Sequence, residues 1–372
     1  MDLSRKLYLG FAAVLAGVGL LMVYSASITS RPTDFEQVYL SRQLAAAAVG
    51  LAAAGWAGTR SAAFWRRIAP WALFGVVLLL LLVLVPGIGV RVKGAQRWLR
   101  VAGISVQPSE LAKIALPLMT CRCLTTLSSA TRSWWNDTVG VLWPALLVVP
   151  LVLIEPDLGT AVFLAAGVAV ALWLGNWPLR NFVLVGCLAL PALGLLAWLK
   201  PYQQRRLVGY VEAWGDFSAA PYQVQQSLVT LGAGGLWGTG LGKGWQKLSF
   251  LPEANTDFVF AVVGEELGLL GTLGLAALWC GLLIAGARLL SGQPADSFPF
   301  LAGMTLLLQL VLQAWLNVAV VTALVPPKGI AHPLISAGGS SLVVSLLTLG
   351  LIWSLSRSEA FARGSGIDEV RP

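Results

Sequence analysis

Charge is what this chain lacks. Only 11% of its 372 residues are Asp, Glu, Lys or Arg, 57% are hydrophobic, and mean hydropathy is +0.77. Soluble domains carry about 25% charged residues, so a soluble globular domain is excluded and the membrane span becomes the unit of reading. Cysteine is scarce as well. Cys121, Cys123, Cys187 and Cys280 all lie in or beside apolar stretches, with no zinc-like spacing and no sign of a disulfide framework. Histidine occurs once, as His332, which is no basis for naming a catalyst.

What is present is a series of apolar stretches of the length a bilayer requires, about 17–25 residues. Ten stand near 8–27, 40–57, 68–86, 109–127, 139–154, 157–175, 181–199, 257–287, 300–325 and 339–357. "YSAS" after the first offers small residues for cleavage, but the apolar core is long for a signal peptide and nine more spans follow, so the helix is retained. The expected fold is an all-α polytopic membrane protein of about ten transmembrane helices, a single domain over 1–372. A large extracytoplasmic loop (about 200–256) separates helices 7 and 8, and a short tail covers about 358–372. The basic short loop "TRSAAFWRR" favours a cytoplasmic N-terminus, and an even number of spans then puts the C-terminus inside too.

The outer loops are unexpectedly basic. Lys93 and Arg97 stand in one, Lys243 and Lys247 in another and Lys328 in a third. Bases in loops cost nothing in water, but clustered on one face they suit an anionic ligand, and at a membrane surface that means lipid head groups or lipid-linked phosphates. Four segments are more polar than connectors need. "VKGAQRWLRVAGISVQPSELAK" ends in a helix start where Glu110 and Lys113, three apart, can face each other as a structural pair or a functional one. "EPDLGT" puts Glu155 and Asp157 in a tight turn, a minimal donor set for a metal. The glycine-rich stretch around Lys243 fails the nucleotide P-loop pattern, since Trp237 and Gly244 stand where Gly and Ser or Thr are required. "PPKGIAHPLISAGGSS" breaks the last apolar run, and broken backbone at membrane depth is tolerated only against protein or a water-filled cavity.

"KGAQRWL", "QPSELAK", "EPDLGT", "LPEANTDFVFAVVGEELG" and "PLISAGGSS" together resemble the SEDS family of cell-wall polymerases, the FtsW and RodA proteins, over nearly the whole chain. "YQVQQSLVTLGAGGLWGTGLG" is closer to the division branch, FtsW, than to the elongation branch, RodA. The resemblance implies a peptidoglycan glycosyltransferase of the bacterial cytoplasmic membrane, joining lipid II on the outer face. It also implies a class B penicillin-binding protein as partner, with other divisome or elongasome membrane proteins and membrane lipids, and no nucleic acid. Asp257 falls on the family's essential aspartate. Around it, Lys93, Arg97, Glu110, Lys113, Glu155, Asp157, Lys243, Gln246, Lys328, Ser336 and Ser340 form the candidate substrate-binding set. No cofactor is implied with certainty; a divalent cation, Mg or Mn, stays open. The chain departs from the family pattern at Asn255, where histidine is common, and at Ala331, His332, Leu334 and Ala337.

The chemistry suits this inventory. A pyrophosphate leaves readily once its charge is neutralised, so the residues need supply only a base for the acceptor hydroxyl and cations for the leaving group. A lipid-linked precursor flippase is the alternative, and it calls for anion-binding groups along a path through the bilayer rather than at the outer face. If one straight helix follows Asp257, Asn255 or Thr256 can cap it. Glu265 then lies about 12 Å deeper than Asp257, and Glu266 about 180° around.

Overall fold

The computed structural model describes residues 3–27, 34–92, 95–101, 104–126, 134–198, 201–213, 215–248 and 250–357. Seven helices come first: α1 (Leu3–Ser27), α2 (Asp34–Thr59), α3 (Ala62–Leu84), α4 (Pro108–Thr126), α5 (Trp134–Ile154), α6 (Leu158–Leu174) and α7 (Leu179–Trp198). The loop that follows carries α8 (Pro201–Glu212) and α9 (Tyr222–Ala233), and α10 (Val259–Leu290), α11 (Phe298–Val321) and α12 (Gly339–Ser356) complete the bundle. Apart from α8 and α9, each helix occupies one of the ten expected spans. By length and composition alone, α1, α3, α10, α11 and α12 can cross a membrane. Their outward faces carry exposed Trp71, Leu78, Leu270 and Leu273, as lipid contact requires, while α11 buries most of its length. The expected tail at about 358–372 lies outside the described residues.

Three features go beyond the all-α expectation. The loop after α3 folds into an antiparallel sheet of β1 (Gly89–Val92), β2 (Ala95–Val101) and β3 (Ile104–Val106), in that order. Neighbouring strand residues point to opposite faces, and β2 uses this: Gln96 donates to the carbonyls of Val83 (2.7 Å) and Val85 (3.2 Å), closing the end of α3, while Arg97 reaches the α5–α6 turn. The loop before α10 is partly helical rather than a plain connector. The third feature is decisive for the site.

α10 is two limbs rather than one straight helix. Gly268 sits at φ 67° and ψ −165°, and a Cβ there would meet the backbone nitrogen of Gly238 at 2.4 Å, so only glycine fits. The chain doubles back at this point. Gly264 packs against Thr272, and Phe260 shares a small cavity with Leu275, Ala276 and Trp279. In a straight helix Phe260 and Trp279 would stand about 28 Å apart. α1 lies antiparallel to the second limb, Tyr8 against Gly286, Phe11 against Gly281, and Ser25 against Glu266 near the bend. Glu265 and Glu266 therefore mark the outer end, and Asp257 sits about 12 Å further in along the first limb. The depth order read from a straight helix is reversed.

Candidate active site

Asp257 stands just before the first limb, whose cap is Phe258 with no side-chain hydrogen bond, so neither Asn255 nor Thr256 serves as cap. The aspartate is partly exposed, and its neighbour is the broken segment between α11 and α12. A Cβ on Gly329 would lie 2.8 Å from Asp257 Oδ2, so the carboxylate rests on the backbone there. Residues 328–332 act as a hub. Each of them contacts a residue of the site.

Lys328, the first of them, lies beside Gly159 and Asp157 at the start of α6. Asp157 caps α6 by accepting from the Thr160 N–H (3.1 Å), and its other oxygen pairs with the Arg97 guanidinium at 3.5 Å. Arg97 also donates to the carbonyls of Glu155 (3.3 Å) and Pro156. The Glu155 carboxyl is buried, and neither oxygen has a hydrogen-bond partner among the described residues. Burial pushes it up to about 8; Asp157 adds to the rise and Arg97 opposes it. Burial also draws the Lys328 ammonium below its usual range, against the pull of Asp157. Burial disfavours the charged form of Glu155, so at the α5–α6 turn Arg97 and Lys328 face Asp157 as the main opposing charge, an arrangement that suits an anionic ligand.

On the other side, Lys113 donates to Glu110 (2.7 Å) and to Gln313 Oε1 (3.0 Å), and Gln313 donates to the Ala331 carbonyl (2.8 Å). Asn317, one turn further along α11, donates to the carbonyls of Asp257 (2.7 Å) and Ile330 (2.8 Å). Its oxygen faces His332 Nδ1 at 3.1 Å, and the Trp279 indole donates to His332 Nε2 at 2.9 Å. Between α4, α11 and α12 lies a small cavity lined by Glu110, Lys113, Gln309 and Gln313 among others. It has room for about one water.

The candidates thus divide. Arg97, Glu155, Asp157 and Lys328 gather at the start of α6, one residue along the hub from the contact between Gly329 and Asp257, and Glu110 and Lys113 reach the same hub through Gln313. Ser336 is a strut, since its hydroxyl donates to the Thr256 carbonyl (2.6 Å) and accepts from the His332 N–H (2.8 Å). Ser340 joins α12 to the sheet through the carbonyl of Ser105 (3.1 Å) and the N–H of Gln107 (3.3 Å). Gln246 and exposed Lys243 stand with the loop docked at Glu265, at the far end of the first limb, and are not brought to Asp257. Lys93 lies outside the described residues. No cluster of three or more His, Cys, Asp or Glu suited to a metal occurs among the described residues.

Sequence reasoning missed Gln313, Asn317 and Trp279. The available signal was Gln309, Gln313 and Asn317, spaced by four on an otherwise apolar helix, which places polar groups on one inward face.

A family model for FtsW, RodA and SpoVE, described as "Cell cycle protein", matches residues 5–360. A probable peptidoglycan glycosyltransferase FtsW from Geobacter metallireducens is 39% identical over 350 residues, covering 93% of this chain and 92% of that protein. One from Geobacter sp. (strain M18) is 36% identical over 347 residues, covering 93% and 94%. A chain from a solved peptidoglycan synthase complex superposes with a TM-score of 0.76 at 29% identity, covering 94% and 96%. The crystal structure of the Thermus thermophilus rod shape determining protein RodA gives 0.69 at 29% identity, covering 94% and 95%.

Proposed function

The chain belongs to the FtsW, RodA and SpoVE family of cell cycle proteins, and we propose on that premise that the pocket around Asp257 polymerises lipid II. The protein is a multi-pass protein of the bacterial inner membrane and a peptidoglycan glycosyltransferase. The observation that carries the finer reading is the convergence of a partly exposed carboxylate, Asp257, with Arg97 and Lys328 across one stretch of broken backbone. An acceptor sugar hydroxyl attacks the anomeric carbon of the donor. The new C–O bond forms as the bond to undecaprenyl pyrophosphate breaks, and the hydroxyl proton passes to Asp257. Displacement inverts the α-linked donor to a β-1,4 glycan.

The cations act in two places. Arg97 and Lys328 meet the departing pyrophosphate, where charge develops, and Lys113 holds the bound substrate further along the hub. Burial favours the protonated form of Glu155, which weakens its opposition to the field of these cations. A flippase is not favoured, because the bases gather at one end of the bundle instead of following a path across it. A peptidoglycan synthase complex among the structural neighbours supports a cross-linking penicillin-binding protein as partner.

Polymerisation of purified lipid II in detergent, wild type against Asp257→Asn, tests the assignment. The variant is expected to fold and bind its partner normally and to make no glycan. Wild-type polymerisation by Asp257→Asn would remove Asp257 as the base.

A further inference from the structure

α11 carries a two-rung ladder whose bonds end on both halves of the site. Asn317 is fully buried, and every polar atom of its amide is engaged: Nδ2 by the carbonyls of Asp257 and Ile330, Oδ1 by His332. The direction of that amide is fixed by the histidine. Trp279 donates to Nε2, so Nε2 carries no proton, and the proton sits on Nδ1 facing the Asn317 oxygen. Phe260 stacks on the ring, planes 9° apart, and restricts its rotation. Four residues earlier on the same face, Gln313 holds the Ala331 carbonyl with its nitrogen and the Lys113 ammonium with its oxygen.

We propose that Asn317, oriented by His332, is the positioning residue for Asp257, and that Gln313 is the positioning residue for Lys113. Accepting Asp257 as the base, this assigns α11 the task of holding base and cation in fixed relation across the hub. Trp279, His332 and Asn317 form one relay ending at the Asp257 backbone. The hydrogen bonds of the His332 ring lead to the base through Asn317, while its backbone N–H reaches Thr256 by way of Ser336, a bond that His332→Leu leaves in place. The two rungs therefore carry different kinetic signatures. Loosening Asn317 displaces the base and lowers kcat, whereas loosening Gln313 frees a substrate-facing cation and raises KM.

The test is lipid II polymerisation by the full-length chain with its penicillin-binding partner, at varied lipid II, with lipid II binding measured on the same preparations. A misplacement of about 1 Å at a reacting group costs on the order of 100-fold, so Asn317→Ala is expected to lower kcat by about that factor with binding within about threefold of wild type. Gln313→Ala shows the converse, a KM raised several-fold with kcat nearly kept. His332→Leu gives a smaller kcat loss, His332→Gln restores part of it by supplying an N–H to Asn317, and the double variant Asn317→Ala/His332→Leu is no worse than Asn317→Ala alone. Multiplying losses in the double variant, or a loss in Asn317→Ala confined to KM, would overturn the proposal. If Asn317→Ala does not fold, His332→Leu and its partial rescue by glutamine decide alone. An inactive Asp257→Asn beside a fully active Asn317→Ala overturns only this inference, whereas an active Asp257→Asn removes the base assignment beneath it.

Discussion

Lys247 is the residue whose loss should cost the fold most for the least change in shape. Its ammonium is 2.6 Å from Glu266 Oε1 and 2.7 Å from the Ser25 carbonyl, and both ionic side chains are fully shielded from solvent. Ser25 donates its hydroxyl to the other Glu266 oxygen and accepts from the Gly242 N–H at 3.0 Å, so α1, the outer loop and the bend of α10 meet in one knot. Lys247→Ala leaves Glu266 buried with the serine hydroxyl as its remaining partner among the described residues. Breaking a buried pair from one side costs about 3–5 kcal/mol, whereas a half-exposed pair such as Arg97–Asp157 contributes about 0–1 kcal/mol. At about 1.3 °C per kcal/mol for a chain of this size, the expected fall in Tm is roughly 4–6 °C. Thermal unfolding in detergent measures it. Lys247→Met combined with Glu266→Gln, which removes both charges, should recover most of the loss. A Lys247→Ala Tm within about 2 °C of wild type would refute the reasoning, as would a double variant no better than the single one.

Two further outcomes follow from the site. Gly329→Ala places a methyl group 2.8 Å from Asp257 Oδ2, and Gly329 has no positive φ, so the fold should hold while the carboxylate swings away. Polymerisation should fall about 10- to 100-fold with Tm nearly unchanged; wild-type turnover would place the carboxylate elsewhere. Glu155 gives a pH signature. Its folded pKa is raised from 4.5 to about 8, so across that window the folded chain keeps a proton that the unfolded chain has released. Stability therefore declines as pH rises from about 4.5 to about 8 and levels off above that. Tm of wild type relative to Glu155→Gln, measured from pH 5 to pH 9, should fall in this sense, and a flat difference would show that Glu155 titrates normally.

The ten spans were legible because each needs a long apolar run and little else does. The small sheet was not, since three short strands rich in arginine look like any polar loop. The turn at Gly268 was also hidden, for a physical reason. "GEELGLLG" has the composition of a continuous helix, and one interior glycine costs only about 1 kcal/mol there. What bends the chain is the docked loop, whose Gly238 and Leu236 occupy the space where a side chain at 268 would stand. Because that bend went unseen, the three carboxylates beginning at Asp257 were placed in the wrong order of depth.

With the bend in place, the cost of those carboxylates is met in three different ways. Glu265 accepts from the backbone N–H groups of Trp245 (2.7 Å) and Gln246 (3.1 Å), and Glu266 is neutralised by Lys247. Both are spent on holding the outer loop against the hairpin. Asp257, deeper along the limb, is held through its backbone by Asn317 and remains partly exposed. The deepest of the three is thus the one that keeps partial exposure, as the base proposed for the acceptor hydroxyl requires. The two glutamates at the bend anchor the limb that sets its depth, so the charges that looked costly for the fold are what place Asp257.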